Sequence, residues 1–389
     1  MIIERIQAAL AKHQLDGWLF FDHHRRDPLA YRVLQIPDEV QVTRRWYYFI
    51  PAQGTPRKLV HRIESGALDT LPGRKDAYAS WPDQQNKLSE IIGGSRHIAM
   101  QYSPNCAIPY VSLVDGGTLE LVRQCGVEVV SSADLMQEFE AQWTQEQIHL
   151  HLQAGKLVDQ IRNEAFDLIG ERLRSDTRIS EYEVQQFILS RFAQQRLLTN
   201  HGPIVAVNAN ASDPHYEPTR ERNSGICQND VVLIDLWAKL NQPQAVYYDV
   251  TWTGFCGSAI PEEVQNIFEI VRDARKKACQ FVFTRIKSHQ PTAGWEVDDA
   301  AREYIAARGY GDFFFHRTGH NIGTEVHGAG ANMDNLESHD ERRLLANTCF
   351  SVEPGIYLPY FGIRSEVNVL VGQDSARVTG AEQEQLIRI

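Results

Sequence analysis

Acidic residues interrupt apolar, strand-like segments at four places in the C-terminal part of this 389-residue chain. In DVVLID the two-residue period of a strand puts Val231, Leu233 and Asp235 on one face. In AVYYDVTWTGF the same period groups Tyr247, Asp249, Thr251 and Thr253. In GIRSEVNVLVG it sets Arg364, Glu366 and Asn368 against Ile363, Val367 and Val369, and Glu353 lies among apolar neighbours in CFSVEPGIYL. A lone strand acid is ordinarily a solvent-facing residue or a turn cap. Four of them in hydrophobic segments need partners, because a buried carboxylate is tolerated only when it is paired or bound to a cation.

A fifth group comes from FHRTGHNIGTEVHG, which carries His316, His320 and His327. On a helix, His316 and His320 would share a face, as in the zinc motif where two histidines four apart bracket a glutamate. No glutamate stands between them here, and Gly319 and Gly323 would each cost about 1 kcal/mol in a helix interior. The stretch therefore reads as a turn and strand edge, and its imidazoles need not share one job. Four carboxylates with one imidazole make a mainly oxygen site, which favours manganese or another hard divalent ion over structural zinc. Their combined charge suits two divalent cations.

A net charge of -11 argues against nucleic acid as the main partner. The six cysteines show no Cys-x-x-Cys pairing, which suggests neither a zinc ribbon nor a disulfide framework and fits a reducing, cytoplasmic setting. MIIERIQAALAKHQ has Glu4 and Arg5 among its apolar positions and is expected to be an amphipathic helix rather than a signal peptide. No apolar run approaches the roughly 20 residues of a membrane span, so no membrane partner is expected.

The length predicts two domains. Residues 1–142 alternate helical and strand-like segments (DGWLFF, WYYFIP, HIAMQY, VEVVSS) and are expected to form a mixed α/β domain. Residues 143–389 open with a long helical period capped by Thr144 and Gln147. Further helices are expected at 181–195, PEEVQNIFEIVRDARKKACQFVFTRI and WEVDDAAREYIAARG. The intervening apolar strands predict an α+β domain, with helices outside a largely antiparallel curved sheet.

The order Asp, Asp, His, Glu, Glu, carried by LID235, YYD249VTWT, RTGH320NIG, SVE353PGIY and GIRSE366V, resembles the pita-bread metallopeptidases, which include methionine aminopeptidase, aminopeptidase P, prolidase and the metal-free creatinase. PIVAVNANASDPH215YEP is similar to the substrate-histidine segment of the proline-directed members. DGWLFFDHHRRDPLAYR resembles, more weakly, the opening of the creatinase-type N-terminal domain.

The resemblance implies a pita-bread catalytic domain at 143–389 after a creatinase-like domain at 1–142. It implies that Asp235, Asp249, His320, Glu353 and Glu366 hold two divalent ions, expected to be manganese with cobalt or zinc as alternatives. It further implies that Glu353 moves the proton of a metal-activated water, that His215 and His327 act beside the scissile bond, and that His316, Arg364 and Tyr357 line the substrate pocket. The expected substrate is a small peptide with proline after the scissile bond, and the expected assembly is a homodimer. Xaa-Pro dipeptidase (prolidase) is the leading expectation, Xaa-Pro aminopeptidase (aminopeptidase P) the alternative, and a catalytically inactive binding module the less favoured one. The chain departs from the family pattern in an NQPQ insertion at 241–244, in the bulky Leu236 and Trp237 after the first aspartate, in Trp252 after Thr251, and in Arg317 after His316. Trp237 and Trp252 are expected to reshape the pocket.

Overall fold

A computed structural model describes residues 2–389, which divide into two compact units, one running to Glu140 and the other Ala141–Ile389. The N-terminal unit comprises α1 (Ile2–Lys12), β1 (Gly17–Asp22), α2 (Pro28–Leu34), β2 (Trp46–Pro51), β3 (Arg57–His61), β4 (Arg74–Tyr78), α3 (Trp81–Ile92), β5 (His97–Met100), α4 (Gly116–Gln124), β6 (Glu128–Ser131) and α5 (Ala133–Met136). Its six strands form one mixed sheet in the order β4-β3-β2-β1-β5-β6. Leu19, Phe21, Tyr47, Phe49 and Ile98 from this sheet pack with Leu88 and Ile91 of α3. After β1, buried Asp22 accepts the backbone N–H groups of Arg25, Arg26 and Asp27, and this fixes the basic turn. His23, His24 and Arg26 of that turn line a cleft of about 890 Å³ inside this unit.

The C-terminal unit comprises α6 (Gln145–Arg174), α7 (Glu181–Gln194), β7 (Leu197–Leu198), β8 (Ile204–Val207), β9 (Val231–Leu240), β10 (Tyr248–Phe255), α8 (Glu262–Lys287), α9 (Gly294–Ala306), β11 (Asn321–Ile322), β12 (Cys349–Val352), β13 (Gly355–Leu358), β14 (Phe361–Arg364), β15 (Val367–Val371), β16 (Ala376–Thr379) and β17 (Ile387–Arg388). Thr144 and Gln147 form the expected capping box on α6. Ala154, Val158, Ile161, Ala165 and Ile169 then recur at helical spacing and bury against Val232, Ile234, Leu236, Ala238 and Val250 of β9 and β10. Each of the valine, isoleucine and leucine side chains among them contributes on the order of 1.5–3 kcal/mol by burial. Gly155 allows α6 its close approach, since a Cβ there would stand 2.8 Å from the Tyr248 ring. In the same manner α8 and α9 pack Ile267, Phe268, Val271, Val297 and Ala301 against Phe350, Val352, Val367 and Val369.

The strands of this unit are antiparallel except for the β10–β17 pair, and they fall into three sheets rather than one. CFSVEPGIYL and GIRSEVNVLVG are each expected as one continuous strand, but both break at their acid. The ladder of β12 and β15 ends at the Val352–Val367 pair, and that of β13 and β14 resumes at Gly355–Arg364. In the gap, the Glu353 N–H donates to the Thr318 carbonyl and the Glu366 N–H to the Thr251 carbonyl, while Pro354 has no N–H to give. Backbone bonds to other segments thus replace ladder bonds where the two glutamates sit.

Candidate metal centre

One face of β9 and β10 supplies two of the acids. Register places Asp235 opposite Thr251 and Asp249 opposite Trp237, so all four side chains project to the same side, away from α6. Both aspartates are buried, as are His320 and Glu366. Asp249, His320 and Glu366 each present a ligand atom within 4.8 Å of the others. Glu353 joins them: His320 Nε2 lies 3.4 Å from Glu353 Oε1 and 3.5 Å from Asp249 Oδ2. Asp235 belongs to the same electrostatic cluster, because its charge disfavours ionisation of Asp249, Glu353 and Glu366.

Neighbouring side chains aim these groups. Thr251 Oγ1 donates to Glu366 Oε2 at 2.8 Å and accepts from Arg364 Nε at 3.0 Å. Arg364 reaches Asp235 Oδ2 with Nη2 and the Tyr357 hydroxyl with Nη1. Ser351 Oγ accepts the His320 backbone N–H at 2.9 Å and donates to Glu353 Oε1 at 3.0 Å. Asn368 Oδ1 accepts the Asp249 N–H, and its amide nitrogen donates to the Asp249 carbonyl. Gly319 is required beside this arrangement, since a Cβ there would fall 1.9 Å from the Ser351 carbonyl oxygen.

Satisfied on one side, the carboxylates are left open on the other. Asp235 Oδ1, Asp249 Oδ1 and Glu366 Oε1 are buried and have no hydrogen-bond partner. Leaving such oxygens unpaired is expensive. His320 Nδ1 faces the Asn321 carbonyl at 3.3 Å, which leaves Nε2 directed at the carboxylates with its lone pair available. Burial, and after it His327, holds the His320 imidazole well below its ordinary pKa, in the neutral form that ligates cations. Burial first, then Asp235 and Glu353, drives Asp249 well above the carboxylate range. Open oxygens, a neutral imidazole and unfavourable like charge are all relieved by divalent cations, so the donor set fits them.

The other residues singled out from sequence surround this cluster. His316 Nε2 meets the Tyr357 hydroxyl at 2.7 Å, while its Nδ1 meets the Arg317 carbonyl. Arg364 donates to the Tyr357 hydroxyl, so that hydroxyl donates onward to His316. Burial and Arg364 depress the His316 pKa to about 3, and burial raises that of Tyr357 to about 12. His327 packs edge-on over His320, with ring centroids 4.2 Å apart. His215 is exposed on the segment after β8, where its N–H is held by Asp213 Oδ1. Desolvation, then Arg317 and His215, disfavours protonation of His327. Trp252 points the other way: Arg162 of α6 lies over its ring at 3.6 Å. The expectation that Trp252 reshapes the pocket therefore does not hold, since strand alternation turns it to the helix side.

Residues 149–373 match the metallopeptidase family M24. An Xaa-Pro dipeptidase from Pyrococcus furiosus is 31% identical over 257 residues, which covers 65% of this chain and 67% of that protein. An Xaa-Pro dipeptidase from Pyrococcus horikoshii is 35% identical over 185 residues, covering 46% of this chain and 47% of the relative. The solved structure of dipeptidase PepE from Mycobacterium ulcerans has a TM-score of 0.73 at 21% identity, covering 100% of this chain and 97% of that one. That likeness shows a shared architecture, the pita-bread fold of the C-terminal unit. The segments that carry the four acids and the histidine all fall inside the matched region, and the chain belongs to metallopeptidase family M24.

Proposed function

We propose that the chain is a metal-dependent Xaa-Pro dipeptidase in which Asp235, Asp249, His320, Glu353 and Glu366 hold two divalent cations. The observation that carries this is the set of three buried carboxylate oxygens without partners, two of them on Asp249 and Glu366, which close around the His320 imidazole. Names of relatives supply the substrate class. Oxygen-rich donors support manganese over zinc, and six free cysteines support a cytoplasmic setting. The homodimer and the creatinase-type assignment of the N-terminal unit carry over from the family resemblance.

Divalent ions bound here supply a Lewis acid that acidifies water and polarises the scissile carbonyl. Glu353 has the placement and chemistry to move the proton: burial raises its pKa to about 7, with Arg364 opposing, and Ser351 fixes one of its oxygens. It takes a proton from the attacking water and delivers it to the proline nitrogen as the C–N bond breaks. That delivery is needed because a peptide nitrogen leaves only as a protonated amine, and the nitrogen of an Xaa-Pro bond has no hydrogen of its own. His327 and His215 stand at the rim to bond the carbonyl oxygen as it gains charge. His316, Tyr357 and Arg364 form a bonded wall that shapes the space for the ring.

The test is a peptide panel run with manganese, cobalt and zinc. An Xaa-Pro dipeptide should exceed its C-terminal amide and the matching tripeptide in kcat/KM by about tenfold or more. Equal or better cleavage of longer peptides would move the assignment to an Xaa-Pro aminopeptidase.

A further inference from the structure

The geometry points to Trp237 as the residue that limits the size of the side chain preceding proline. This rests on the Xaa-Pro activity proposed above. Trp237 follows Asp235 by two positions on β9 and lies directly opposite Asp249 on β10. It therefore rises on the face of the open carboxylates, with its Cβ about 4.5–5.5 Å from that of Asp249. Its neighbours Leu236 and Ala238 take the opposite face and pack in the core under α6.

The indole is held rather than loose. It packs on one apolar cluster that contains Tyr216, adjacent to His215, and on a second that contains Tyr247 and Ile322. Val326, next to His327, packs on this second cluster as well. The indole N–H donates to Asn200 Oδ1 at 2.7 Å. The side chain is only partly buried. A pinned aromatic plane thus stands beside the carboxylates, between segments that carry the two rim histidines.

A dipeptide must bring its scissile carbonyl to the cations that the acids of β9 and β10 would hold, with its free ammonium one carbon away. Its first side chain then grows from a carbon next to that ammonium, on the side where Trp237 stands. Glycine or alanine fits in front of the indole. Leucine or phenylalanine meets a plane that cannot swing away without losing its bond to Asn200 and its packing on both clusters.

The experiment compares kcat and KM for Gly-Pro, Ala-Pro, Leu-Pro and Phe-Pro in the manganese-loaded full chain and in three variants. The wild type should favour Ala-Pro over Phe-Pro by about tenfold or more, within the range that pocket sterics supply. Trp237→Gly should bring that ratio to within about threefold, chiefly through a lower KM for Phe-Pro, and Trp237→Phe should fall between. Asn200→Ala keeps the indole but releases it, and should raise Phe-Pro relative to Ala-Pro by a few fold. If Trp237→Gly fails to fold, as judged by its thermal transition, the other two variants decide. A wild-type preference for bulky residues, or a ratio unchanged in the folded variants, overturns the assignment and leaves the dipeptidase activity standing. Failure of the wild type to cleave any of the four dipeptides overturns both.

Discussion

Glu353→Gln should lower kcat on the order of a thousandfold at saturating metal, since general acid–base transfer alone contributes about 10²–10⁴, whereas His316→Ala should cost about tenfold. The difference follows from what each group touches. Glu353 faces His320 at 3.4 Å inside the cluster, with one oxygen aimed by Ser351. The amide of glutamine keeps the shape but neither accepts the proton nor supplies the charge. His316 has both ring nitrogens occupied by Tyr357 and a backbone carbonyl, and its role is to support the wall. Steady-state kinetics under metal saturation checks the pair. Equal, mild losses would contradict the assignment.

Asp249→Asn should make the metal-free protein more stable and abolish its stabilisation by manganese. Without cations, Asp249 is a buried carboxyl with one open oxygen, where burial and repulsion from Asp235, Glu353 and Glu366 make ionisation costly and Arg364 and the Val250 backbone N–H offset this only in part. A neutral isostere removes that repulsion while keeping both backbone bonds to Asn368. The same change removes a charge that cations require. Wild-type protein at free manganese on the order of 1,000 times Kd should gain about 4 kcal/mol. The variant should gain little at the same concentration. Thermal unfolding with chelator and with manganese measures both signs, and a variant that is destabilised without metal yet responds fully to manganese would refute the charge argument.

These expectations show which parts of the molecule were readable from sequence. Period-two alternation grouped Asp249 with Thr251 on β10 and Asp235 with Leu233 on β9, because those strands run uninterrupted through their acids, and the register between the strands then joins the two groups on one face. The same rule grouped Arg364, Glu366 and Asn368, which all bond at the cluster while Ile363, Val367 and Val369 pack in the core, but the strands expected to run through Glu353 and Glu366 break at those acids. Alternation assumes a continuous strand, and nothing local in SVEPG except Pro354 signals the break. Thr251, Ser351 and Asn368 were legible only as polar residues on strands. Their service to Glu366, Glu353 and Asp249 depends on pairings between segments more than 100 residues apart in the case of Thr251 and Asn368. Ser351 and Asn368 each stand two positions from an acid, and that spacing is the signal that could have found them. Arg364 was expected in the substrate pocket. The structure engages its guanidinium with Asp235, Thr251 and Tyr357, a set of partners that comes from three separate strands. The two tryptophans that depart from the family pattern looked equivalent in sequence, yet alternation sends Trp237 to the acids and Trp252 to α6.

Anomalous diffraction at the manganese edge from metal-saturated crystals tests the paired cation site. Two peaks should appear within the cluster formed by Asp235, Asp249, His320, Glu353 and Glu366. Saturated crystals with no anomalous density beside Asp249 and Glu366 would contradict it.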